Sequence, residues 1–167
     1  TGSITRAVTV SFSNSTSIAA VFNLAAGSYF IRIENNDGGA VRSTNADLTV
    51  STSPSWSTSA GSLGTFSAGS TISGLNVQAS SDSNVTITET TSVLTSNSNT
   101  PATTMNLTLS GSPASSATYT ISGTAPSPTS NQTYNFTLRA TDAEGQTADR
   151  AFSITISVGA TGGGRFN

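Results

Sequence analysis

The sequence predicts an all-β protein made of two antiparallel β-sandwich modules in tandem, the first short or incomplete. Three observations carry this reading. Apolar and polar residues alternate with a period of two along many segments, which puts one set on each face of a strand. Clusters of Gly, Ser, Asn and Pro separate those segments, and such residues supply the backbone angles of tight turns. No segment holds a 3.6-residue apolar period for three turns, so helices are not expected.

The first module begins with residues 7–12, where Val8, Val10 and Phe12 are expected inward against Thr9 and Ser11. Ser13 to Ser17 breaks the run, and Ile18 to Phe22 forms a second strand. Residues 26–28 turn the chain into a strand over residues 29–34, with Tyr29, Ile31 and Ile33 on one face. Residues 35–39 (Asn-Asn-Asp-Gly-Gly) form a strong turn signal, because these residue types tolerate left-handed backbone. Residues 46–50 close the module with Leu48 and Val50 inward. Four strand-like runs fall short of the roughly seven strands of a free-standing immunoglobulin-type sandwich.

Residues 51–55 form a short linker, in which Pro54 interrupts pairing. Trp56 follows at once, and the bland reading places it in the core at the sandwich end, with sugar stacking by Trp56, Tyr119 or Tyr134 as the alternative. The second module offers strands at 63–66, 71–79, 85–90, 105–109 and 119–121. Its last hairpin is the clearest element in the chain. Tyr134, Phe136, Leu138 and Ala140 alternate with polar residues, Phe152, Ile154 and Ile156 do the same, and Gly145 turns the chain between them. The expected boundaries are 1–52, 53–158 and a glycine-rich tail over 159–167, whose Phe166 is a candidate for docking onto a neighbouring subunit.

Composition narrows the function classes. Ser and Thr make up about a third of the chain, charged residues 8%, and Lys, His and Cys are absent. Without His or Cys, nucleophilic triads of the usual kinds are excluded. With six scattered Arg, a net charge of -2 and an acidic pI of about 4.7, a surface that tracks phosphates is not expected, and nucleic acid is a poor partner. No membrane span or signal peptide is evident, and the opening lacks Met, which reads as a processed product, a fragment or part of something longer. Five Asn-x-Ser/Thr triplets are what chance gives at this Ser/Thr content.

Asp142, Glu144 and Asp149 gather around the turn of the last hairpin, with no apolar pocket in the sequence to raise a pKa, so no catalytic residue and no enzyme activity are expected. Calcium is the better candidate, because hard cations take several oxygen ligands and Asp82, Asp142, Glu144 and Asp149 would supply them at one end of the sandwich. The competing reading has Asp142 bonding the turn backbone while Arg139 or Arg150 pairs with Glu144 or Asp149.

Residues 27–50 resemble the closing half of an IPT/TIG-type immunoglobulin-like domain, on their Gly-Ser-Tyr strand, Asn-Asn-Asp-Gly turn and final Leu-Thr-Val strand. Residues 54–158 resemble the cadherin-like immunoglobulin repeats of bacteriophage tail, fibre and other virion proteins. The matching pieces are Pro54-Ser-Trp56, residues 61–64, 74–79 and 121–124, and Tyr134 through Gly159. Residues 86–118 depart from that repeat in a Ser/Thr/Asn-rich run. The resemblance implies a virion structural subunit, with other copies of itself and other virion proteins as partners. Its alternatives are a surface adhesin that recognises a host-surface glycan and an accessory module of a larger secreted protein. It also favours calcium and implies no other cofactor.

Overall fold

A computed structural model describes residues 4–96 and 103–159, and every regular element among them is a strand. The chain divides into two units, Thr1–Ser51 and Thr52–Asn167. Part of the Ser/Thr/Asn-rich run and the tail with Phe166 lie outside the described residues.

The first unit consists of three separate two-stranded antiparallel ladders. β1 (Thr9–Asn14) pairs with β2 (Ser17–Val21), and the turn is fixed by Asn14 Oδ1, which accepts from the Thr16 N–H and hydroxyl at 2.9 Å each. β3 (Gly27–Tyr29) pairs with β6 (Leu48–Val50), and β4 (Arg32–Glu34) with β5 (Ala40–Arg42). The expected single strand over 29–34 is thus two short ones, parted where Ser43 bridges to Ile31: the Ile31 N–H donates to Ser43 Oγ at 3.0 Å and the Ser43 N–H to the Ile31 carbonyl at 2.8 Å. The Asn35–Gly39 turn forms as the sequence predicts, with the Gly38 N–H on the Asn35 carbonyl at 3.1 Å and the Gly39 N–H on Asp37 Oδ1 at 3.0 Å.

The inward placement expected for the first strand is corrected. Val8, Val10 and Phe12 are 72%, 60% and 76% exposed. None of the described residues of this unit is buried, because ladders of two strands have no facing sheet to pack against.

The second unit is a two-layer sandwich. One layer runs β10 (Thr108–Gly111), β11 (Ala114–Thr124), β9 (Thr71–Glu89) and β7 (Ser55–Trp56). The other runs β9, β12 (Gln132–Thr141), β13 (Thr147–Ser157) and β8 (Gly61–Ser67). β9 belongs to both. Its 19 residues span the strand expected at 71–79 and that expected at 85–90 up to Glu89: the first stretch pairs with β11 and Thr86 to Glu89 pair with β12. β8 lies parallel to β13, a pairing the antiparallel expectation did not include. A parallel pair needs a long connection, and the rest of the sandwich provides it.

The core alternates as the hairpin predicts. Tyr134, Phe136, Leu138 and Ala140 on β12 and Phe152, Ile154 and Ile156 on β13 are buried, facing Val77, Ala79, Ala117, Tyr119 and Ile121 of the other layer. Each large apolar side chain here contributes about 1.5–3 kcal/mol over leaving it exposed. Trp56 joins the layers from the end: its ring meets Phe152 edge-on with centroids 5.5 Å apart, and its indole N–H donates to the Ala148 carbonyl at 3.0 Å. The core reading of Trp56 therefore holds over the sugar-stacking one, and Tyr119 and Tyr134 are buried as well.

Candidate functional site

The bend of β9 and the turn between β12 and β13 meet at one end of the second unit, and both carry carboxylates. Asp142 closes the hairpin. Its N–H donates to the Gln146 carbonyl at 3.0 Å, its carbonyl accepts from the Gly145 N–H at 3.1 Å, and its Oδ1 accepts from the Gln146 N–H at 2.7 Å. Gly145 takes a φ of +85°, where a side chain would be strained. This turn chemistry is what the competing sequence reading expected of Asp142.

The turn is held against β9 through Ser83. Its hydroxyl accepts from the Ala143 N–H at 3.2 Å and donates to Glu144 Oε2. Asp82, one residue earlier, accepts from the Thr52 N–H at 3.1 Å through Oδ2 and from the Ser81 hydroxyl at 3.1 Å through Oδ1. Strand pairing thus assembles residues 60 positions apart: carboxylate oxygens of Asp82, Asp142 and Glu144, one from each, lie within 4.8 Å of one another. Asp142 is 5% exposed, and its Oδ2 is buried with no hydrogen-bond partner.

The fourth sequence candidate, Asp149, is not part of this group. It sits on β13 directly opposite Arg139 on β12, and the guanidinium takes both its oxygens, Nε to Oδ1 at 2.7 Å and Nη2 to Oδ2 at 2.8 Å. That hydrogen bonding holds the Asp149 carboxyl below its ordinary value and the Arg139 guanidinium above its own. A carboxylate with both oxygens in a fork-shaped pair is engaged by Arg139 rather than offered to a metal ion. Arg150 donates to the carbonyls of Thr58 at 2.6 Å and Trp56 at 3.5 Å.

The partners Thr52, Ser81 and Ser83 were not singled out in the sequence, where they are ordinary members of a Ser/Thr-rich background. Only the register between β9 and the hairpin marks them.

In the first unit, Phe22, Tyr29, Phe30, Ile31, Arg32 and Arg42 line an open hollow of about 530 Å³. The Arg42 guanidinium lies 4.1 Å from the Phe30 ring centroid, a cation–π contact.

No protein-family model matches the chain, and no curated protein does. Among solved structures, the BIgI domain of beta protein from S. agalactiae, solved bound to CEACAM1, is similar at a TM-score of 0.42 and 19% identity. That match covers 64% of this chain and 98% of the domain. The titin domains Z1Z2, solved in complex with telethonin, are similar at a TM-score of 0.41 and 15% identity, over 90% of this chain and 72% of theirs. Among the described residues, no helix is long and apolar enough to cross a membrane. By its own topology, two facing layers closed by a last hairpin with β8 laid along β13, the second unit is an immunoglobulin-like β-sandwich.

Proposed function

We propose that this chain is a non-enzymatic structural protein of a bacteriophage virion, a tail, fibre or capsid-decorating subunit that assembles through sandwich surfaces and sheet edges. The virion setting rests on the resemblance of residues 54–158 to phage structural repeats. The assembly role rests on one observation: every large apolar side chain that is well exposed among the described residues belongs to the first unit, from Ile4 to Val41. Exposed apolar residues in such number mark a surface that another protein covers. The ladders also leave edges unpaired, which favours added strands from neighbouring copies.

Two measurements test this reading. Peptide mass spectrometry of gradient-purified phage particles should find the chain in stoichiometric amounts; its absence from particles would remove the virion setting. Sedimentation velocity on the purified chain should show concentration-dependent association, and a strict monomer at high concentration would remove the self-assembly role.

The hollow lined by Tyr29, Phe30, Arg32 and Arg42 supports a second reading, a surface adhesin or receptor-binding module that takes a host glycan. Aromatic faces and guanidinium donors suit sugar rings and hydroxyls. Binding on a glycan array that Tyr29→Ala abolishes would favour it.

A further inference from the structure

We infer that Asp82, Asp142 and Glu144 bind one calcium ion per chain. The carrying observation is the second oxygen of Asp142. Oδ1 serves the turn, while Oδ2 is buried with no hydrogen-bond partner in a side chain that is 95% withdrawn from solvent by its 5% exposure. A buried carboxylate oxygen without a partner is costly, and the cost is removed by a cation or by a proton.

The surroundings select the cation. Carboxylate oxygens of Asp82 and Glu144 lie within 4.8 Å of one another and of Asp142, close enough for an ion at 2.3–2.6 Å from each after small rotations. Three negative groups at that spacing repel one another, and a divalent cation removes the repulsion for all three together. The Arg139 guanidinium is committed to Asp149 on the neighbouring strand β13, and that of Arg150 to the backbone carbonyls of Thr58 and Trp56. The donor set is oxygen only, in a chain with no His or Cys, which disfavours zinc. Calcium tolerates the irregular six to eight oxygen ligands that a turn, a bent strand, the Ser83 hydroxyl and water provide, whereas magnesium demands near-octahedral geometry.

The ion would fasten the β12–β13 turn to β9, adding to the hydrogen bonds that Ser83 makes with Glu144 and Ala143. This inference stands apart from the assembly role and does not require it.

The test uses the full chain, stripped with EDTA and melted at pH 7.5 with calcium chloride added back. Trp56 is the only tryptophan and belongs to the second unit, so its fluorescence follows that unit. Calcium at roughly a hundred times its Kd should raise the melting temperature by at least about 5 °C, and titration calorimetry should give one site per chain. Asp142→Asn and Glu144→Gln should each lose most of the shift, and Asp149→Asn should keep it. Glu144 is exposed at the hairpin tip, so Glu144→Gln keeps the test open should Asp142→Asn fail to fold. A melting temperature that neither 10 mM calcium nor EDTA moves would overturn the site. So would an equal shift in the wild-type chain and both site variants, and so would an Asp142→Asn chain more stable than wild type alongside a wild type indifferent to calcium, which is the signature of a buried proton.

Discussion

The Glu89 carboxylate holds Leu94 in the core. Oε1 accepts the Leu94 N–H at 2.8 Å and the Val93 N–H at 2.6 Å, while Oε2 accepts the Thr95 N–H at 2.9 Å; Leu94 itself is fully buried. One side chain at the end of β9 thus satisfies the backbone of the loop that follows and fixes which residue of that loop enters the sandwich. Leu94 in turn receives the Leu107 N–H on its carbonyl at 2.8 Å, and the Val93 carbonyl receives the Met105 N–H at the same distance. Backbone hydrogen bonds thus link the stretch that carries Leu94 to the one that carries Met105 and Leu107, all three of them core residues.

Glu89→Gln should destabilise the second unit by about 1–3 kcal/mol, because an amide presents one good acceptor where the carboxylate presents two charged ones to three N–H groups. Urea denaturation followed at Trp56 measures it.

The same residue predicts acid sensitivity. Burial pushes the Glu89 carboxyl up, but the N–H groups of Leu94, Thr95 and Val93 together outweigh burial and leave it below its ordinary value of 4.5. A depressed folded-state pKa contributes stability that is present above the unfolded value and is lost as pH falls through the folded one. The wild-type chain should therefore lose stability below about pH 4.5 more steeply than Glu89→Gln, and the two curves should converge in acid. Parallel curves across that window would contradict the assignment.

Trp56→Ala should cost about 3–5 kcal/mol, since it removes a large buried aromatic together with its indole hydrogen bond to the Ala148 carbonyl. Trp56→Phe should cost less, keeping the edge contact with Phe152 but not the hydrogen bond. Thermal melts by circular dichroism rank the two.

Gly111→Ala should destabilise by about 1–3 kcal/mol although it sits on the outer strand β10. A Cβ there would lie 2.6 Å from the Tyr119 ring and 2.8 Å from the Thr118 carbonyl, and Tyr119 is held by the core. A neutral result in a denaturant titration would show that β10 moves away at little cost.

The double substitution Val10→Asp with Phe12→Asp should leave the second unit's melting temperature unchanged, because both side chains are exposed and belong to the other unit. It should abolish concentration-dependent association in sedimentation velocity. Retained association would place the contact surface elsewhere.

Local rules made the final hairpin legible. Tyr134 through Ile156 alternates, turns at Gly145 and buries the expected face, since period-two patterning and turn chemistry act over a few residues. The same rules misplaced Val8, Val10 and Phe12, because alternation says that a strand has an apolar face and cannot say whether anything covers it. The Asp142 turn was readable from its spacing. Its meeting with Asp82 is legible only as a convergence at one end, and Asp149 stands in the sequence both as a calcium candidate and as a partner for an Arg; cross-strand register, which sequence spacing does not give, sets it opposite Arg139. Glu89 went unnoticed because its partners are backbone N–H groups, which every residue has.

Amide hydrogen exchange across residues 8–50, measured on the isolated chain and again on the assembled particle, reads out whether neighbouring subunits complete the first unit. If the first unit gains its core from neighbours, its amides exchange rapidly in the isolated chain and become protected on assembly, while those of β9, β12 and β13 are protected in both. Strong protection of residues 8–50 in the isolated monomer, unchanged on assembly, would mean that the first unit needs no neighbour.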